Sequence, residues 1–268
     1  AEYAYLQAIA IDSNNPHVWN DLGFLYLKKW NKLTEAKNAF NNAITIDGNL
    51  ARSWVGLGDL SKINQNYIEA EALFLKAIKL DENLTDAWNG LGNLYQDHFK
   101  KYIEAEKAYI NALNLDQNLF VAKYNLVFLY RDKFNRINEA EKLFNTLKIE
   151  EKFEDSYWLN KTLFELYKQN KGVAKEYLLN ALEKIKEQLP QNTQDDWWRF
   201  GAVASKLGYG KWFTDILEEQ GFDVILSPYY VAIKAMNEKD TEGYLNSKAV
   251  EIREPARKIM EIMKSYNS

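Results

Sequence analysis

The chain repeats itself every 34 or 35 residues, and that period limits its fold more tightly than any other feature. Trp19, Trp54 and Trp88 are followed by Leu22-Gly23, Leu57-Gly58 and Leu91-Gly92; the next copy has Lys123 in the tryptophan position and then Leu126-Val127, and a fifth, degenerate copy starts at Trp158. An alanine stands 16 or 17 residues beyond each tryptophan position, with a large residue four later and usually a small one three after that. These triplets are Ala36-Phe40-Ala43, Ala70-Phe74-Ala77, Ala105-Tyr109-Ala112, Ala140-Phe144-Leu147 and Ala174-Leu178-Ala181. A unit of this length is one helical hairpin, with helix A carrying the tryptophan and helix B the alanine. A hairpin cannot bury its apolar face alone, so neighbours stack into a solenoid. Small residues let the two helices approach closely, and the rings of Trp and Phe fill the remaining volume. The predicted fold is all-α, a solenoid of antiparallel helix hairpins.

Composition narrows the function. The 268 residues are 47% apolar, enough for a substantial core. Lys and Arg number 34 against 38 Asp and Glu, a formal charge of -4. A phosphate-binding surface needs clustered positive charge, so no nucleic-acid partner is expected. There is no cysteine, which removes disulfides, thiolate metal sites and a cysteine nucleophile together. No run approaches the roughly 20 apolar residues of a membrane span, so no membrane partner is expected and a cytoplasmic location is predicted. His17 and His98 lie in different repeats, no phosphate-cradling glycine loop is present, and Gly208-Tyr209-Gly210 reads as a turn. Asp195 and Asp196 are adjacent and would point in different directions on a helix. The chain is therefore predicted to be no enzyme, with no catalytic residues, metal or cofactor.

The succession of Trp, Leu-Gly, Tyr, Ala and Phe at these offsets resembles the tetratricopeptide repeat, closely over residues 13 to about 147 and more loosely to about 182. The resemblance implies a right-handed superhelical solenoid, with a second helix of a truncated preceding repeat at 1–12 and five units at 13–47, 48–81, 82–116, 117–150 and 151–182. A C-terminal helical capping region follows at 183–268. Ala1, Tyr5 and Ala8 already carry the helix B spacing, so the chain reads as beginning in mid-repeat, with an upstream domain of the same longer chain as an expected neighbour. Where the family often closes a unit with proline, this sequence has Asp47-Gly48-Asn49, Asp81-Glu82-Asn83 and Asp116-Gln117-Asn118. Asp and Asn are expected to close these turns and cap the following helix.

The resemblance further implies a protein or peptide ligand held along the A helices. With the tryptophan as position 4, family members present positions 2, 5, 9 and 12 to the groove. The predicted site is Asn20, Phe24, Arg52, Asp59, Lys62, Asp86, Asn89, Asn93, Gln96, Tyr124, Asn125 and Phe128, with His17, Leu27, Val55, Val121 and Arg131 filling the remaining positions. Asparagine both donates and accepts, which suits the backbone of an extended peptide. Asparagine is also common on helix B, as at Asn41 and Asn42, where it has no such role. Position 5 reads Asn20, Val55, Asn89, Tyr124 without a lysine, so the family's clamp for chaperone tails is not supported. Three A helices carry an extra aromatic, Tyr26-x3-Trp30, Tyr95-x3-Phe99 and Tyr130-x3-Phe134, expected to plug the opening between helices A and B. A 35-residue hairpin also describes RNA-reading pentatricopeptide arrays, but the Trp-x2-Leu-Gly signature and net acidity oppose that reading.

After Pro190 the period is lost. Helices are predicted near 193–207, 211–220, 229–238 and 254–265, with Pro255 in the first turn of the last. Trp197, Trp198, Trp212, Phe213, Phe222, Tyr229 and Tyr230 are expected to cover the final repeat. Leu226-Ser227-Pro228-Tyr229 and Val250 to Ala256 are similar to tails that follow repeat arrays in large bacterial signalling or defence proteins. That similarity implies a second possibility, the recognition portion of a larger protein whose nucleotide-binding or protease effector domain lies outside this chain.

Overall fold

The computed structural model describes residues 1–147, 154–187 and 194–220, and beyond them 232, 234–236, 242, 245 and 250–267. They form two compact units, Ala1–Leu147 and Lys148–Ser268.

The first unit is a run of helices: α1 (Glu2–Ile11), α2 (Pro16–Trp30), α3 (Leu33–Ile46), α4 (Ala51–Ile63), α5 (Tyr67–Leu80), α6 (Thr85–Leu94), α7 (Tyr102–Leu115), α8 (Phe120–Phe128) and α9 (Ile137–Phe144). Helices α2/α3, α4/α5, α6/α7 and α8/α9 pair as the expected hairpins, and α3, α5 and α7 also pack against the next A helix. The repeated glycines exist for ring space. A Cβ on Gly23 would sit 2.6 Å from Phe40 Cε1, and one on Gly56 would overlap the same ring from the next hairpin. Phe74 is likewise held between Gly58 and Gly90, where a Cβ would come within 2.8 Å from either side. Phe40 and Phe74 are thus each sandwiched between two A helices, and Phe40, Phe74, Tyr109 and Phe144 are fully buried.

The turns hold in the expected way, with one correction. Asp12, Asp47, Asp81 and Asp116 accept through Oδ1 from the backbone N–H two residues on, at 2.9–3.0 Å. Trp19, Trp54 and Trp88 pin the same turns by donating from Nε1 to a carbonyl six residues back. Among the described turns between repeats, an asparagine caps the following A helix only ahead of α2, where Asn15 accepts from the His17 N–H. The residues before α4, α6 and α8 are Leu50, Leu84 and Leu119, which have no capping acceptor. Between helices A and B the backbone passes through the left-handed region at Asn31, Gln65, Lys100, Asn135 and Gln169, with φ of 52–62°. Those positions are 34 or 35 apart, so the period persists in the backbone through the fifth hairpin even where side chains have diverged.

Hairpins with 17 rather than 16 residues between the tryptophan and alanine positions absorb the extra residue by widening the end of helix A. α6 runs into a π turn at Tyr95–Phe99 and α8 into one at Leu129–Lys133. The carbonyls of Tyr26, Tyr95 and Tyr130 accept from N–H groups six residues on, those of Lys32, Lys101 and Arg136. The same three hairpins carry the extra aromatics. Tyr95 and Phe99 pack on the core beneath them with ring centroids 6.2 Å apart, and Tyr130 and Phe134 do so at 6.4 Å; the Trp30 side chain lies outside the described residues. These tyrosines also join neighbouring hairpins. Glu2, Glu71 and Glu106 of the preceding B helix lie beside the hydroxyls of Tyr26, Tyr95 and Tyr130 and pair with Lys32, Lys101 and Arg136 at 3.5, 3.8 and 2.7 Å. Burial, reinforced by the neighbouring carboxylate, pushes the Tyr95 and Tyr130 hydroxyls up to about 12. In the second hairpin Lys37, Ser61 and Asn66 stand at these three positions, and the latch has no counterpart there.

In the second unit α10 (Glu154–Tyr167) and α11 (Lys171–Glu187) form the fifth hairpin, with Ala174, Leu178 and Ala181 buried as the repeat requires. Thr162 takes the glycine position and hides its hydroxyl in a bond to the Trp158 carbonyl, 2.8 Å. This hairpin shares one core with α12 (Gln194–Lys206), α13 (Gly210–Glu219) and a C-terminal helix, α14 (Val250–Asn267), through Leu163, Phe200, Phe213 and Met260. Phe213 meets Phe200 edge-on at 4.8 Å, and Trp212 is partly buried on the same core. α14 starts earlier than expected, so Pro255 lies inside it rather than in its first turn; without an N–H it costs the helix one hydrogen bond. Only 232 and 234–236 of the predicted 229–238 helix are described, and they are helical. The side chains of Trp197 and Trp198, with Phe222, Tyr229, Tyr230 and the 226–229 stretch, lie outside the described residues.

Candidate partner-binding face

Helices α2, α4, α6 and α8 lie side by side, so the predicted groove residues share one face of the first unit. What each does there depends on what the next A helix offers. Position 5 of one A helix meets position 3 of the next. Asn20 meets Ser53, whose hydroxyl donates to Asn20 Oδ1 at 3.1 Å, and both are buried. Val55 and Ala87, the next such pair, are both apolar and buried. The third is mismatched: Asn89 is matched in register with Ala122, and Asn89 Oδ1 is buried without a hydrogen-bond partner. Asn20, expected to line the groove, is instead 2% exposed and spent on joining two hairpins.

Asn93 and Asn125 also serve the packing. Tyr109 stands where the preceding hairpins have phenylalanine, and its buried hydroxyl requires a partner. It donates to Asn93 Oδ1 at 2.9 Å, which also accepts from Asn125 Nδ2 at 2.7 Å; Gln96 Oε1 lies 3.5 Å from the same hydroxyl. Asn125 occupies the position held by Gly56 and Gly90. In α8, Tyr124 meets Phe128 edge-on at 4.6 Å, and Phe128 is 5% exposed. Arg131, at position 12, is wholly buried in a two-point ion pair with Asp132, 2.6 and 3.0 Å, its guanidinium 4.9 Å from the Phe128 ring. Phe128 and Arg131 are thus interior groups, a correction to their predicted exposure on the groove.

The remainder of the set is accessible. Phe24 is half-buried, edge-on to Phe40, with Lys28 Nζ 5.0 Å and the exposed Arg52 guanidinium 5.8 Å from its ring. Asp59 pairs with Lys62 at 3.4 Å, and burial raises its carboxyl above the usual range despite that partner. Asp86 is exposed in the first turn of α6. Charges of both signs alternate along the face. Sequence reasoning missed Ser53, Lys28, Tyr109 and Asp132 as determinants of this surface. Ser53 had a visible signal, a hydroxyl where the next two units have alanine. His98, the one histidine on a π turn, stacks on Tyr67 with centroids 3.9 Å apart, and burial lowers its affinity for a proton.

Residues 4–38 and 51–84 match family models of the tetratricopeptide repeat. The chain carries tetratricopeptide repeats. No curated protein matches its sequence. Among solved structures it is similar to pilF of Pseudomonas aeruginosa, with 18% identity, a TM-score of 0.62, and coverage of 88% of this chain and 99% of that one. It is similar to YrrB, described as a TPR protein with an unusual peptide-binding site, at 20% identity and a TM-score of 0.53, covering 70% of this chain and 96% of that one. A third likeness is to the Cut9–Hcn1 heterotetramer of the APC/C, at 17% identity and a TM-score of 0.59, over 91% of this chain but 45% of that one. At these identities the likeness is one of fold. Among the described residues, no helix is long and apolar enough to cross a membrane.

Proposed function

We propose that the first unit is a protein-binding scaffold that holds an extended segment of a partner along the face of α2, α4, α6 and α8. The observation that carries this reading is Asn89. A buried acceptor without a partner costs about 1–3 kcal/mol, and an apolar pair at the preceding joint, Val55 with Ala87, avoids that cost. Asn89 is only half-buried, so turning its amide brings the unpaired oxygen to the open side, where a peptide N–H can donate to it. Phe24, Arg52, Asp59, Lys62, Asp86, Gln96 and Tyr124 complete the proposed site. Mixed charges suit a peptide better than a phosphate backbone, which needs one sign along its length. A peptide site is also what YrrB, of the same fold, is described as having.

Panning a random peptide library on the whole chain tests this. Enriched peptides are expected to bind wild type and to lose about tenfold in affinity, the equivalent of about 1.4 kcal/mol, on Asn89→Leu. That variant removes the unmet acceptor and keeps the fold. Enriched peptides that bind Asn89→Leu and Arg52→Gln as well as wild type would refute the proposed face.

A further inference from the structure

Trp54 and Trp88 occupy the same position in consecutive hairpins, each fixed by its Nε1–H donating at 2.9 Å to the turn before it. Their exposed ring faces differ. Over Trp54 lies Lys76 of α5, with Nζ 3.3 Å from the ring centroid. Counted from Ala70 and Ala105, the residue equivalent to Lys76 is Asn111 of α7, and the one equivalent to Lys79 is Asn114. The third hairpin therefore has no long cation to lay on its indole. Trp88 borders an open cleft of about 210 Å³, lined by Glu82, Asn83, Asn111, Asn114 and Leu115.

We propose that this cleft receives the ammonium group of a lysine side chain presented by a partner protein. The indole face attracts a cation through its quadrupole, and the preceding hairpin holds an ammonium in that place. Around Trp88 the chemistry is adjusted to a cation from outside. Glu82 supplies a negative charge at the rim, and the amide oxygens of Asn83, Asn111 and Asn114 can accept from the three N–H donors of an ammonium. The apolar stem of a lysine would lie along the indole and Leu115, which is 40% exposed. None of these residues belongs to the proposed peptide face, so this site stands or falls separately from it.

The test follows the Trp88 indole N–H signal in the NMR spectrum of the full chain during titration with the capped tripeptide Gly-Lys-Gly to millimolar concentration. Gly-norleucine-Gly and Gly-acetyllysine-Gly serve as neutral controls. The lysine peptide should shift the Trp88 signal and bind about two- to fivefold more tightly than either control, the range for a cation on an exposed ring. Asn111→Lys should abolish that advantage by supplying an internal ammonium, and Lys76→Asn should create a second responding indole at Trp54. Both are surface changes, and unshifted signals from the other tryptophans establish that the fold is kept. Equal binding of the neutral peptides, an undiminished response in Asn111→Lys, or no shift at Trp88 would each overturn the proposal.

Discussion

Replacing Gly23 by alanine would put a methyl carbon 2.6 Å from Phe40 Cε1 and 2.7 Å from Cδ1. Carbon atoms settle at about 3.5–4.0 Å, so about 1 Å of movement is needed. The ring has nowhere to go, because Phe40 is fully buried and a Cβ on Gly56 would already touch its far side. α2 and α3 must part instead. Overpacking of this kind costs about 1–3 kcal/mol. A ring trapped on both sides belongs at the upper end, while alanine returns about 1 kcal/mol of helix propensity, for a net loss of about 2 kcal/mol. Urea unfolding followed by circular dichroism measures it. Two comparisons isolate the cause. Gly48→Ala, where the nearest atom to the new carbon is Ile44 O at 3.8 Å, should be neutral or stabilising by up to about 1 kcal/mol. In the double variant Gly23→Ala/Phe40→Leu the methyl enters space the ring has left, so the combined loss should fall short of the sum of the singles by about 1 kcal/mol or more. Gly23→Ala more stable than wild type would show that helix propensity governs this position, and the reasoning would fail.

Ser53→Ala leaves Asn20 Oδ1 buried and unpaired and should cost about 1–3 kcal/mol, whereas Ala122→Ser supplies Asn89 with the hydroxyl it lacks and should stabilise by about 1 kcal/mol; thermal or urea unfolding decides both, and a neutral Ser53→Ala would contradict the pairing of positions 5 and 3. Because Tyr95 and Tyr130 hold their protons up to about 12 when folded against about 10 unfolded, their contribution is complete below pH 10 and lost as pH rises through 12. The urea midpoint should therefore fall across that window, and Tyr95→Phe/Tyr130→Phe should flatten the fall; an unchanged slope would remove the two hydroxyls as its cause.

The solenoid was legible in the sequence because the packing that makes it is local and repeated. The rings of Phe40, Phe74 and Tyr109 enter space left by glycines of the A helices, and a residue type required at the same offset in several copies leaves a countable pattern. Trp19, Gly23, Ala36 and Phe40 announce one hairpin, and the next copies confirm the register. The same logic made the Asp turns readable. The site was less legible, since the period gives the direction of a side chain but not its neighbours. Asn20, Asn89, Asn93 and Asn125 look alike in sequence. Tertiary structure separates them by what stands across the joint: Ser53 for Asn20, Ala122 for Asn89, and the Tyr109 hydroxyl for Asn93 and Asn125. It also turns Phe128 and Arg131 inward, the latter beside Asp132, and shows that one inserted residue is absorbed by a π turn rather than a longer loop. Hydrogen-bond satisfaction and burial are properties of pairs from different hairpins, so a single strand of sequence specifies the array but only the packed array decides which polar groups are left for a partner.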